Sequence, residues 1–78
     1  MSEDTFNQEL DCRGLLCPLP IVKTKQVMDT MSPGQVLKMH ATDKGSVIDV
    51  QAWTRQTGNE LINSHETDGI FTYYLRKN

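Results

Sequence analysis

Cysteine, proline and aromatic residues are all scarce in this chain. Its 78 residues include two Cys, three Pro, one Trp, two Tyr and two Phe. Two cysteines are too few for a disulfide scaffold, and in a reducing compartment they read as free thiols. Long apolar runs are missing too, since no stretch approaches the ~20 residues that a membrane-crossing helix needs. There is no basic surplus. The net charge of −2 argues against a dedicated nucleic-acid binder, so no strong direct nucleic-acid binding is expected. Arg13, Lys23 and Lys25 do gather, and they read as a solvated face. Met1-Ser2-Glu3-Asp4 is acidic with no apolar run behind it, so a secretory signal is not expected and the expected location is the cytoplasm.

Several chemistries lack their parts. A hydrolytic cysteine needs a histidine base beside it, and nothing brings His40 or His65, both on expected strands, to a cysteine. Zinc needs about four ligands, and Cys-x4-Cys with two scattered histidines matches no common spacing. There is no Cys-x-x-Cys redox motif and no glycine-rich phosphate loop. Neither a metal nor a cofactor is expected.

The length allows a single domain, 1–78, with a small core and a frayed start over residues 1–5. Phe6, Gln8, Leu10 and Cys12 alternate with polar neighbours, which predicts a first strand over 6–12. Residues 18–31 read as a helix with Ile21, Thr24, Val27, Met28 and Met31 on one face, stopped by Ser32-Pro33-Gly34. Residues 35–41 alternate again. A loop follows in which Asp43 or Ser46 can cap a second helix over 47–57, with Val47, Val50, Trp53, Thr54 and Thr57 inward and Gly58 as a left-handed C-terminal cap. Strands over 60–67 and 70–76 flank Asp68-Gly69, a strong hairpin signal. The expected fold is a two-layer α/β sandwich in βαβαββ order. Two helices cover one face of a mixed four-stranded sheet, and the other face is open or partly covered by aromatics of the last strand.

Two of the three prolines fall in one short stretch, DCRGLLCPLPIVKTK, residues 11–25. The first four N–H groups of a helix have no partner within it, so early prolines sacrifice no hydrogen bond. With Cys17 as N-cap, Pro18 and Pro20 are helix positions one and three and stiffen the turn carrying the thiol. Pro20 also pushes Leu19 toward extended geometry. A thiolate at a helix N-terminus is favoured by the helix dipole, and Arg13 nearby would add positive field. The expectation is therefore a reactive thiolate with a lowered pKa; the bland alternative is a small buried hydrophobe.

LDCRGLLCPLPIVKTK, then PGQVLKMHATDKGSVIDVQAWTRQTGNELI, then a final hairpin, resembles the TusA family, also called SirA-like proteins. The resemblance runs from Leu10 to Lys77, and Cys-Pro-x-Pro with the surrounding Asp11-x-x-Gly14-x-x-Cys17 pattern carries it. It implies the same βαβαββ sandwich. It also implies a sulfur carrier or sulfurtransferase, rather than a stand-alone multiple-turnover enzyme. Cys17 would take sulfane sulfur as a persulfide from a donor protein of the cysteine desulfurase or rhodanese type and pass it to an acceptor protein, for tRNA thiolation, cofactor synthesis or sulfur trafficking. Arg13, Gly14, Pro18 and Pro20 would shape or tune the thiol. Cys12, where many members have a small residue such as alanine, is either a small strand residue or a resolving thiol. The alternative reading of the whole is a non-catalytic regulatory or interaction module with a redox-sensing Cys12/Cys17 pair. On the helical wheel Leu19 and Val22 point away from the buried face. Beside Cys17 they form a candidate docking rim, flanked by Lys23 and Arg13, unless Pro20 distorts the first turn and folds them under.

Overall fold

The computed structural model describes residues 5–78; the first four, and with them most of the expected frayed start, lie outside the described part. Six elements follow in order: β1 (Gln8–Cys12), α1 (Leu19–Met28), β2 (Val36–Ala41), α2 (Ser46–Thr57), β3 (Glu60–Thr67) and β4 (Ile70–Arg76). The sheet order is β1-β2-β4-β3. β1 and β2 are parallel and β4 is antiparallel to both of its neighbours. Parallel strands need a crossover connection, which α1 supplies between β1 and β2. α2 likewise carries the chain from β2 past the place that β4 later fills.

Directly opposed residues share a sheet face, so the register divides the two surfaces. Leu37 lies opposite Leu75, Met39 opposite Tyr73 and Ala41 opposite Phe71. With Cys12 they form the floor under Met28 and Met31 of the α1 region and Val50 and Trp53 of α2. The other face presents Lys38 opposite Tyr74 and His40 opposite Thr72. It is partly covered: the Lys38 ammonium sits 5.0 Å from the Phe6 ring centre and 5.6 Å from that of Tyr74, and Tyr74 is buried. Tyr73, on the helix side, bonds its hydroxyl to Ser46 at 2.7 Å.

The first helix starts and stops later and earlier than its pattern suggests. Pro18, not Cys17, is the N-cap residue, and Pro20 lies in the first turn. The Cys17–Pro18 peptide is cis. Leu19 is helical despite preceding a proline. Pro20, Thr24 and Met28 form the buried stripe. The Pro20 carbonyl accepts the Thr24 hydroxyl at 2.7 Å and faces the Cys12 thiol at 4.0 Å. At the far end Thr30 and Met31 bond to residues three back rather than four. That tightens the chain into a turn and lets Met31 reach the core. The second helix begins at Ser46 after Gly45, with no side-chain cap; Asp43 is used elsewhere, as described below. On α2, Val50, Trp53 and Thr54 are buried, whereas Thr57 is exposed because it lies in the last turn. Gly58 closes the helix at φ 79°. The hairpin turn takes Asp68 at φ 53° and Gly69 at φ 78°, two successive left-handed residues that match the twist of the strands.

Candidate functional site

Parallel pairing aligns the carboxyl ends of β1 and β2: Cys12 stands opposite Ala41. The loops that leave those two strands are therefore neighbours, and polar bonds fasten one to the other. The Gly14 amide donates to the Thr42 hydroxyl at 2.8 Å. The Cys17 amide donates to the Asp43 carboxylate at 3.0 Å. Gly14 turns the chain after β1 with φ 81°, a backbone region that L-residues avoid. Leu15 N–H then bonds back to the Cys12 carbonyl at 3.2 Å, and the chain reaches Cys17 just ahead of α1.

Cys17 is an exposed free thiol. Its sulfur donates to the carboxylate of Asp49, in the first turn of α2, at 2.6 Å. A thiol at the N-terminal end of the first helix was expected to ionise readily. The geometry overturns that expectation: the hydrogen bond to Asp49, aided by partial desolvation and the negative charges of Asp49 and Asp43, pushes the Cys17 pKa up. A neighbouring carboxylate opposes a second negative charge at the sulfur.

Arg13 does not supply the expected positive field. Its guanidinium lies in a two-point ion pair with Asp11, at 2.8 and 2.9 Å, and this holds the Asp11 carboxyl at about 2. Lys25 pairs with Asp29 at 2.7 Å, so two of the three gathered cations have carboxylate partners. Lys23 is exposed and its charge acts on the Cys12 thiol. Cys12 itself is fully buried in the core, and burial raises its pKa. The two thiols thus face different partners, Cys12 the Pro20 carbonyl and Cys17 the Asp49 carboxylate.

His40 bonds Thr72 at 3.0 Å and Glu9 at 2.5 Å on the open sheet face. His65 lies beside Tyr74. Neither approaches Cys17 as a base. A groove of about 650 Å³ runs along that open face, lined by Asp11, Arg13, His40 and Thr72 among others, and Cys17 does not line it.

Exposed apolar side chains lie close to Cys17 in the chain or next to its partner Asp49. Leu19 and Val22 are exposed at 46% and 43%, Leu16 at 71% and Ile48 at 73%. All four flank the thiol or its partner: Leu16 precedes Cys17, Leu19 and Val22 lie on the first turns of α1, and Ile48 precedes Asp49. Sequence reasoning named Leu19 and Val22 but missed Leu16, Ile48, Asp43 and Asp49. The signal for the last two lay only in their place at the start of the second helix, 26 and 32 residues from Cys17.

Comparison with known proteins agrees with this architecture. A family model described as "Sulfurtransferase TusA" matches residues 8–77. The "Sulfur carrier protein TusA" of Allochromatium vinosum is 53% identical over 72 residues, covering 92% of this chain and 95% of that one. A "Putative sulfur carrier protein" of Halobacterium salinarum is 40% identical, covering 99% and 98%. A SirA-like protein from Desulfitobacterium hafniense, solved by crystallography, superimposes with a TM-score of 0.79 at 19% identity, covering 90% and 96%, and so shares the fold.

Proposed function

This chain belongs to the TusA family of sulfur carriers, and from that premise we propose that Cys17 is the residue that holds the cargo, as a persulfide. As a carrier it works between a donor protein and an acceptor protein. We take the donor to be a cysteine desulfurase or rhodanese that presents sulfane sulfur on its own cysteine. The Cys17 sulfur attacks that terminal sulfur, and the donor thiolate leaves. The reverse exchange at the acceptor discharges the carrier.

The observation that carries this reading is the setting of Cys17: an exposed thiol on a turn fastened at both ends of its loop, with exposed Leu16, Leu19 and Val22 close to it in the chain and exposed Ile48 next to Asp49, which bonds its sulfur. Exposed aliphatic side chains around a reacting atom suit a surface that docks and releases partners. We propose that this rim contacts the donor, with Lys23 at its edge. Gly14, Pro18 and Pro20 would shape the turn. The protein would act as one domain in the cytoplasm, where thiols persist in reduced form. No helix among the described residues is long and apolar enough to cross a membrane.

Incubation with a sulfur-loaded rhodanese or with a desulfurase and its substrate, followed by intact-mass measurement, tests the reading. A gain of about 32 Da, one sulfur atom as a reducible persulfide, should appear in the wild type and vanish in Cys17→Ser. A gain that survives in Cys17→Ser would move the cargo elsewhere.

A further inference from the structure

Among the described residues the Cys17 sulfur has one side-chain partner, the Asp49 carboxylate at 2.6 Å. That bond joins an exposed loop to the first turn of α2 and covers no core. In the empty carrier the only group among the described residues that is positioned on the reacting sulfur is thus a proton acceptor. No histidine takes that place, since His40 is bonded to Glu9 and Thr72 and His65 packs beside Tyr74. The charged groups that act on the sulfur are Asp49 from α2 and Asp43 from the preceding loop, and Asp43 is bonded to the Cys17 amide.

A carrier meets two proton transfers of opposite direction. On loading, Cys17 must lose its proton before or as it attacks; on discharge, the same sulfur must regain one. We propose that Asp49 is the catalytic proton-transfer residue of this carrier, accepting a proton from the Cys17 sulfur on loading and, on discharge, passing one from the acceptor thiol to it.

The proposal rests on the reading that Cys17 holds the sulfur. In the loading step the Cys17 S–H bond breaks and its electron pair forms the bond to the donor's sulfane sulfur. The donor's S–S bond breaks, and its pair leaves on the donor sulfur as a thiolate. The proton passes through the Asp49 carboxylate to that thiolate. A thiol and a persulfide are exchanged for a persulfide and a thiol, and no oxidant or reductant is consumed.

The same contact predicts a second behaviour. Asp49 holds the empty carrier as S–H, which protects the thiol from small electrophiles until a donor docks, because the thiolate is the reactive form. Removing the carboxylate charge should therefore move two rates in opposite directions. In Asp49→Asn, alkylation of Cys17 by iodoacetamide at neutral pH should rise, with its pH profile displaced to lower pH, because the carboxylate that raises the thiol pKa is gone. Single-turnover sulfur transfer from a rhodanese preloaded with sulfane sulfur should fall by about a hundredfold, the lower range for loss of a general base. Asp49→Glu, which keeps a carboxylate, should recover part of the transfer rate, and it serves as the second variant if Asp49→Asn fails to fold.

If transfer in Asp49→Asn equals the wild-type rate or rises with alkylation, Asp49 only restrains the thiol and the proposal is overturned. The same holds if both rates fall together in a folded protein, or if Asp49→Glu recovers nothing. Failure of the wild type itself to accept sulfur is a separate outcome, which would overturn the carrier reading along with the proposal.

Discussion

At Cys17 the sulfur and the backbone amide are each bonded to a different carboxylate, Asp49 and Asp43. The proposal that this sulfur carries the cargo could be made from the sequence, because Cys-Pro-x-Pro is a local pattern. That its proton is held was not legible, because the partner comes from the next helix and is brought there by the parallel pairing of β1 with β2. Arg13 was misassigned for a related reason. Proximity along the chain suggested Cys17, but Asp11 stands two residues away and offers both carboxylate oxygens. Asp11 titrates at about 2, against an ordinary 3.8, chiefly through its bonds to Arg13. With the folded value below the unfolded one, whatever this pair contributes to stability is present above pH 3.8 and disappears as pH falls toward about 2. Both side chains are exposed, so the contribution is small. Arg13→Gln should raise the Asp11 pKa part of the way back, since the residue-13 amide still donates to it. A carboxyl-detected NMR titration measures this, and an unchanged Asp11 would contradict the assignment.

Among the elements, the strands and the hairpin agreed closely with the alternation and with Asp68-Gly69, because those signals are local. The helix starts agreed less well. Two prolines were compatible with more than one N-cap position, and tertiary bonds decided between them. Asp43 was a reasonable cap for α2 by residue type, yet its carboxylate is bonded to the Cys17 amide, and α2 starts at Ser46, after Gly45, without a side-chain cap. The turn between β1 and α1 depends on Gly14. Its φ of 81° disfavours a side chain, while a Cβ built there meets nothing within 4 Å. Gly14→Ala should therefore destabilise the protein by about 1–2 kcal/mol through backbone conformation alone, read from urea unfolding. A loss of much more would indicate a collision, and no loss would indicate that the turn relaxes. Because the Gly14 amide also bonds Thr42, the variant should loosen the Cys17 loop and slow sulfur loading as well.

For the whole molecule, one sheet face carries the core and both helices, while the site sits at the sheet's edge where β1 and β2 end. This division was legible in outline from the βαβαββ order. The strand order was not, because β4 inserts between β2 and β3 and that insertion is a long-range choice. The apolar rim gathers residues from two helices and a loop, so sequence spacing could show only its α1 half. Leu19→Ser with Val22→Ser should slow transfer from a sulfur-loaded donor protein by about tenfold or more, as expected where docking residues contribute over 1 kcal/mol. Iodoacetamide should still react with Cys17 at the wild-type rate. Both side chains are more than 40% exposed, so the melting temperature should hardly move. If alkylation slows in parallel, or the fold is lost, the rim is part of the core.

The central claim is that sulfur travels through Cys17 alone, and single-turnover transfer of radiolabelled sulfur tests it most directly. Loaded donor is mixed with wild type, Cys17→Ser or Cys12→Ala, and the protein-bound label is followed. Wild type and Cys12→Ala should take up label equally, although Cys12→Ala is less stable by about 1 kcal/mol for the buried sulfur it loses. Cys17→Ser, whose hydroxyl can keep the bond to Asp49, should stay folded and take up none. Label on folded Cys17→Ser, or its loss in folded Cys12→Ala, would contradict the account.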